Sequence, residues 1–207
     1  MDMNSDFNRV YISILPSQCE GNMLYPESRN FEVYDTNNSK IKLQKYWSWK
    51  LLEYAIKNTL NRDIADFHFS KNEFGKWSTN SFKFSITHTD NFVGIAISNN
   101  PIGIDIEKIS ATQSKNFPTR TLTLSELNEY SVISTEEQNS YLITKWTQKE
   151  AIFKCFGSDF FIPNTIDTTK FSVYSKKFKY ENDEYILSVA TDFSFEIISV
   201  NLEETTF

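Results

Sequence analysis

The chain has 207 residues, of which 40% are hydrophobic and 15% aromatic, and a formal net charge of −6. This length and apolar content suit one ordinary domain or two lobes of about 100 residues, each with its own core, and with 5 Gly and 5 Pro they exclude a disordered chain and a repetitive turn-rich scaffold. The acidic balance excludes general attraction to nucleic acid or an anionic membrane, so any anion site must be local.

Met1 to Val10 holds acidic and polar residues where a secretory leader would place a basic and then an apolar region. No apolar run approaches bilayer-spanning length. Cys19 and Cys155 have neither metal-site spacing nor the density of a disulfide scaffold. The expectation is a reduced, cytoplasmic protein that binds neither membrane nor nucleic acid.

Residues 7 to 15, rich in β-branched and aromatic side chains, predict a first strand; the polar segment from Pro16 to Ser39 is ambiguous. From Lys40 to Leu60 there is neither Gly nor Pro, and Leu52, Ala55, Ile56 and Leu60 return at helical spacing, which predicts a long helix. Its Lys42, Lys45 and Lys50 are either a solvated face or a meeting place for a phosphate. A short strand is expected around Asp66 to Ser70, then a turn at Asn72 to Trp77 where Gly75 and Lys76 place a backbone amide beside a cation. Phe82, Phe84 and Ile86 alternate with Lys83, Ser85 and Thr87, predicting a strand that ends in His88. A turn at Thr89 to Asn91 and a strand from Phe92 to Ser98 follow. His88 is either a hydrogen-bonded structural residue or, with Thr87 and Thr89 beside it, a donor to phosphate oxygens. His68 reads as structural.

In Pro101-Ile-Gly-Ile-Asp-Ile-Glu-Lys108, strict alternation sends Ile102, Ile104 and Ile106 to one face of a strand and Gly103, Asp105 and Glu107 to the other. The two carboxylates, with Cα atoms roughly 6 to 7 Å apart, are within reach of one cation; a solvated acidic face is the alternative. Gly103 is expected to leave open space beside them.

A polar connector occupies 109 to 140, interrupted by Leu122 to Tyr130, where Ser125 is placed to cap a short helix. The second long helix is expected from Ser140 to Phe156, with Leu142, Trp146, Phe153 and Phe156 on its buried stripe. Glu150 and Lys154 lie side by side at the border of that stripe, as a surface ion pair or as part of a site. Lys149 falls inside the stripe and needs an exit to water or an anion. Gly157 stops the helix, and 171–174, 185–191 and 195–202 predict strands. Residues 91–98 echo 184–191, so each half reads strand, helix, strands. The expected fold is α+β, with two similar lobes at 1–100 and 101–207 and the Asp105 strand near their junction, where ligand clefts form.

Four ordered pieces stand together: Gly75-Lys-Trp, Phe84-Ser-Ile-Thr-His-Thr89, Ile102-Gly-Ile-Asp-Ile-Glu-Lys108 and Trp146-Thr-Gln-Lys-Glu-Ala-Ile-Phe-Lys154. Their order and spacing, over most of residues 40 to 190, resemble the 4′-phosphopantetheinyl transferase superfamily in its two-lobed, monomeric Sfp type. The resemblance implies two lobes related by pseudo-twofold symmetry, each a small antiparallel sheet packed with a long helix, with coenzyme A bound between them. It implies transfer of the phosphopantetheine arm of coenzyme A to a serine of an apo acyl or peptidyl carrier protein, of fatty acid, polyketide or nonribosomal peptide synthesis. Adenosine 3′,5′-bisphosphate is released, and Mg²⁺, with Mn²⁺ as a substitute, is the implied metal.

By the same resemblance Asp105, Glu107 and Glu150 hold the metal, Glu150, directly or through a metal-bound water, is the candidate base for the carrier serine, and Lys154 balances charge on the pyrophosphate. His88 meets a coenzyme A phosphate with Thr87 beside it, and counts with Glu150 and Lys154 among the catalytic residues. Gly75 and Lys76 line the nucleotide region, Lys149 finds its anion in the same cleft, and Lys45, with Lys50 close behind, meets the 3′-phosphate. Two departures stand out: Trp77 where the Sfp type usually has Pro, and Ser85, Thr87 and Thr89 in a segment typically written Phe-Asn-Ile-Ser-His-Ser. The rival classes are a noncatalytic carrier- or coenzyme A-binding module and a metal-dependent nucleotide pyrophosphatase.

Overall fold

A computed structural model of the chain describes residues 7–19, 37–73, 75–110, 114–157 and 160–205. Within the ambiguous segment, 20–36 lies outside the described residues. The architecture is α+β, and the chain divides into two compact units, Met1–Asn100 with Phe193–Phe207, and Pro101–Asp192. No helix among the described residues is long and apolar enough to cross a membrane.

The first unit contains β1 (Asn8–Ile14), α1 (Ser39–Leu60), the short pair β2 (Ser70–Lys71) and β3 (Trp77–Ser78), β4 (Lys83–His88), β5 (Phe92–Ser98) and β9 (Glu196–Val200). Its sheet runs β4-β5-β1-β9, with β1 antiparallel to β5 and parallel to β9. Helix α1 starts where the Asn38 side chain accepts hydrogen bonds from the Lys40 and Ile41 amides, both at 3.1 Å. It ends at Asn61, whose φ of 53° turns the chain out of the helix. Between these caps, Tyr46, Trp49, Leu52 and Ile56 join Tyr11, Val93, Ile95 and Ile97 in the core. Trp49 lies 5.3 Å from Phe69, 5.1 Å from Trp77 and 6.4 Å from Phe84, centroid to centroid. Trp77, the departure noted above, is thus an aromatic packed under α1. The strand expected at Asp66 to Ser70 is displaced: a 3₁₀ turn covers Ile64–Asp66 and pairing begins at Ser70, because Phe67 and Phe69 are drawn into the aromatic core.

The second unit contains β6 (Gly103–Lys108), α2 (Phe117–Thr121), α3 (Leu124–Val132), α4 (Thr135–Phe156), β7 (Val173–Tyr180) and β8 (Asp183–Ala190), with sheet order β6-β8-β7, all antiparallel. The topology of the first unit recurs here. A leading strand, a long helix and a hairpin follow in order, and the leading strand pairs with the second hairpin strand, β1 with β5 and β6 with β8. The two echoing segments are the strands β5 and β8, each with a neighbour on both sides.

Three expectations change. The strand expected at 195–202 forms as β9, Glu196–Val200, but it pairs with β1, Val10 facing Ile197, and so lies in the first unit instead of in a lobe running from 101 to 207. The cap of α3 is Thr123, not Ser125: the Thr123 hydroxyl accepts from the Glu126 amide at 3.3 Å and the Glu126 carboxylate accepts from the Thr123 amide at 2.9 Å. Helix α4 begins at Thr135, five residues before the expected start at Ser140, because the early turns are polar and carry no apolar repeat.

The buried stripe of α4 also needs correction. Phe156 is 47% exposed, and Trp146 and Phe153 are half-buried under Phe117 and Phe161, at centroid distances of 5.0 to 5.4 Å. The face turned to the sheet is made of smaller residues, with Ala151 and Ile152 against Ala190. There Thr147 accepts a hydrogen bond at 2.9 Å from the buried Ser188 hydroxyl.

Candidate functional site

The face of β6 that carries Gly103, Asp105 and Glu107 meets α4, and Gly103 sets how closely. A Cβ at Gly103 would stand 2.0 Å from the Ala151 carbonyl oxygen and 2.5 Å from the Cys155 amide nitrogen. The expected open space is therefore filled by helix backbone, and the glycine serves close approach of strand and helix. That approach brings the acidic strand to Glu150 and Lys154. Lys154 Nζ donates to Asp105 Oδ1 at 2.7 Å and lies 3.7 Å from Glu150 Oε2. Asp105 is 4% exposed, so these charges interact in a medium far less screening than water.

The electrostatics follow from that burial. Burial, with the charge of Asp105 next and that of Glu150 behind it, pushes Glu107 up to about 7, against a hydrogen bond from Trp146. Burial also raises Glu150, with Lys154 pulling the other way. For Lys154 burial opposes the charge, but Asp105 and Glu150 more than offset it and hold the ammonium above its usual range. Asp105 and Glu150 thus share one ammonium, and the carboxylates of Asp105, Glu107 and Glu150 repel one another. Their hard oxygen donors are of the kind Mg²⁺ takes. Among the described residues no group of three His, Cys, Asp or Glu side chains is arranged to hold a metal ion; the cationic charge among these carboxylates is that of Lys154. The donor set fits the ion chemically.

Lys149 does not belong to this set. Its side chain has no exposed surface, and Nζ donates to Glu126 Oε2 at 2.5 Å and to the Thr121 carbonyl at 2.8 Å. The anion it faces is a carboxylate of its own chain, which corrects the expectation of a coenzyme A contact. Burial alone would raise Glu126, but the hydrogen bonds from Lys149 and the Thr123 amide hold it below the usual carboxylate range. A depressed acid stabilises the fold above its unfolded pKa and loses that contribution as pH falls through the folded value. The stability gap between wild type and Glu126→Gln, measured by urea unfolding, should therefore be widest near neutrality and close below about pH 4. A gap constant from pH 7 to pH 3 would refute this.

In the first unit, His88 ends β4 with its side chain exposed. Thr87, one residue back and so on the other face, is 3% exposed. The strand thus separates the hydroxyl expected beside His88 from the imidazole. The Thr89 hydroxyl accepts from the Asn91 and Phe92 amides, both at 3.2 Å, and shapes the turn. Gly75, at φ +85°, and Lys76 are exposed in the β2–β3 connection, where the Asn72 side chain accepts from the Lys76 amide at 2.8 Å. On α1, Lys45 is half-buried and Lys50 donates to Glu53 at 2.8 Å. Sequence reasoning missed two residues: Trp146, read as core but hydrogen-bonded to Glu107, and Glu126. The second had a readable signal, the Thr123-x-x-Glu126 pattern of a capping box.

Residues 101–190, which include β6, α4 and β8, match the family model of the 4′-phosphopantetheinyl transferase superfamily. The chain is 35% identical over 121 residues to 4′-phosphopantetheinyl transferase gsp of Aneurinibacillus migulanus, covering 55% of this chain and 48% of that protein. It is 31% identical over 119 residues to 4′-phosphopantetheinyl transferase Sfp of Bacillus subtilis, covering 55% and 51%. In these matches the chain spans about half the length of its relatives. A holo-[acyl-carrier-protein] synthase of Streptococcus suis is 30% identical over 112 residues, 49% of this chain and 93% of that protein. With the acidic strand and the Glu-Lys helix joined inside the matched region, and a relative matched over nearly its whole length, the chain belongs to the 4′-phosphopantetheinyl transferase superfamily and resembles its Sfp-type members.

Proposed function

We propose that the chain transfers the 4′-phosphopantetheine arm of coenzyme A to a serine of an apo acyl or peptidyl carrier protein. The serine oxygen forms a bond to the phosphorus on the pantetheine side of the pyrophosphate. The bond from that phosphorus to the bridging oxygen breaks, and adenosine 3′,5′-bisphosphate leaves with the electron pair. The observation that carries the reading is the ion-paired set of Asp105, Lys154 and Glu150, with Glu107 electrostatically coupled to it.

Each residue has a part. Glu150, whose carboxyl is raised by burial, takes the serine proton as general base. Lys154, held charged by Asp105 and Glu150, stabilises the negative charge that grows on the leaving phosphate. Asp105, Glu107 and Glu150 would hold Mg²⁺, or Mn²⁺ in its place, which would supply charge neutralisation at the pyrophosphate oxygens. Exposed His88 and Lys76 offer donors to coenzyme A phosphates, with Gly75 next to Lys76 in the chain; Lys45 and, less directly because of Glu53, Lys50 remain candidates for the 3′-phosphate. Cys19 and Cys155 are thiols and not half-cystines, which suits a reduced, cytoplasmic setting, and the enzyme acts as a monomer.

Incubation of the protein with Mg²⁺, coenzyme A and an apo carrier, followed by mass spectrometry, tests this. The carrier should gain one phosphopantetheine arm. An unmodified carrier with intact coenzyme A would make the chain a binding module, and cleaved coenzyme A without carrier modification would make it a pyrophosphatase.

A further inference from the structure

Helix α4 is held from two sides along the stretch that carries Glu150 and Lys154. On the sheet side, Gly103 admits the helix backbone at Ala151 and Cys155. On another side, fully buried Lys149 is tied to Thr121 and Glu126. Glu126 is itself fixed by the Thr123 amide at 2.9 Å and the Thr168 hydroxyl at 3.3 Å, with Lys145 at 3.5 Å from the second oxygen. One buried carboxylate thus joins the first turn of α3, the middle of α4 and the 3₁₀ turn Thr168–Lys170.

Adhesion alone does not explain that arrangement. Apolar side chains of similar bulk commonly stabilise a core as well as a buried ion pair does, or better. The pair adds direction. Lys149 Nζ is hydrogen-bonded to two acceptors outside its own helix, which fixes the rotation of α4 about its axis. Glu150 is the next residue, so a rotation that moved Lys149 would move Glu150 relative to Asp105 and Glu107.

Resting on the transferase reading above, we propose that Glu126 is a positioning residue that acts through Lys149 to set where Glu150 stands against β6. Its loss should lower kcat, leave KM for coenzyme A unchanged and loosen the helix around Glu150.

The test replaces the pair by apolar bulk, Glu126→Leu with Lys149→Met, in the full chain. The variant should melt as a folded protein, with kcat down roughly 10- to 100-fold and KM for coenzyme A within about twofold of wild type. Mn²⁺ titration followed by electron paramagnetic resonance should show weaker binding, and hydrogen exchange of the α4 amides around Glu150 should accelerate. A folded variant with wild-type kcat, Mn²⁺ binding and exchange would overturn the proposal. Should the double variant not fold, Glu126→Gln is measured in the same way: it keeps acceptors for Lys149 and Thr123 at reduced strength, so the same shifts are expected in smaller size, and unchanged values overturn the proposal. Failure of wild type to modify any carrier would count against the transferase reading instead, and the exchange rates would still decide whether the pair holds α4.

Discussion

Gly103→Ala should destabilise the second unit by about 3 kcal/mol or more and abolish measurable transfer. The added methyl would stand 2.0 Å from the Ala151 carbonyl oxygen, 2.5 Å from the Cys155 amide nitrogen and 3.0 Å from the Ala151 carbonyl carbon. All of these are backbone atoms of α4, so no side-chain rotation relieves the contact; strand and helix must part. Parting them draws Asp105 away from Lys154 and Glu150, so stability and activity fall together. Gly75→Ala supplies the contrast. Its backbone φ of +85° disfavours a side chain, but the nearest atom a Cβ would meet is Lys71 Cε at 3.6 Å, so the expected loss is about 1 to 2 kcal/mol of local strain. Urea unfolding of both variants checks the pair of results, and a Gly103→Ala protein as stable as Gly75→Ala would show that the close approach is wrong.

Glu150→Gln should lower turnover roughly 100-fold or more without loss of folding, and Glu107→Gln should separate stability from activity altogether. In wild type, burial and the neighbouring carboxylates push Glu107 up to about 7. A raised acid binds more protons folded than unfolded, so its penalty to stability grows as pH rises from its unfolded value, about 4.3, through 7. Glu107→Gln removes that penalty. In metal-free buffer the variant should therefore match wild type near pH 4 and exceed it at pH 8, while its transferase turnover at saturating Mg²⁺ collapses. Melting curves across that range and carrier modification by mass spectrometry decide. Near-wild-type turnover in either variant would remove that carboxylate from the proposed metal set.

Much of the candidate site was legible because it is written in short-range patterns. Alternation in Gly103 to Glu107 put both carboxylates on one face of a strand, and the spacing of Glu150 and Lys154 put them on one side of a helix. What the patterns lacked was the identity of the neighbour. Gly103 looked like clearance because a sequence shows an absent side chain without showing the backbone that fills its place. Lys149 looked like a ligand contact because its partner, Glu126, stands 23 residues away across a connector read as polar. The stripe of large residues on α4 drew the wheel toward the side covered by Phe117 and Phe161, whereas the sheet receives a face of Thr147 and Ala151, small enough for a close strand. Thr87 and His88 were grouped because they are adjacent, and the pleat sends adjacent residues to opposite faces.

The placement of β9 has a consequence for biosynthesis. Parallel pairing of Arg9 through Ser13 with Glu196 through Val200 means that the sheet of the first unit stays incomplete from the synthesis of β1 until that of β9. The whole of Pro101–Asp192 is synthesised in the interval. At about 5 to 20 residues per second, that leaves one edge of β1 without its partner for several seconds. The order of completion is then inverted: the later-made unit can finish folding while the earlier-made one waits, its open strand edge a target for chaperones or for another nascent chain.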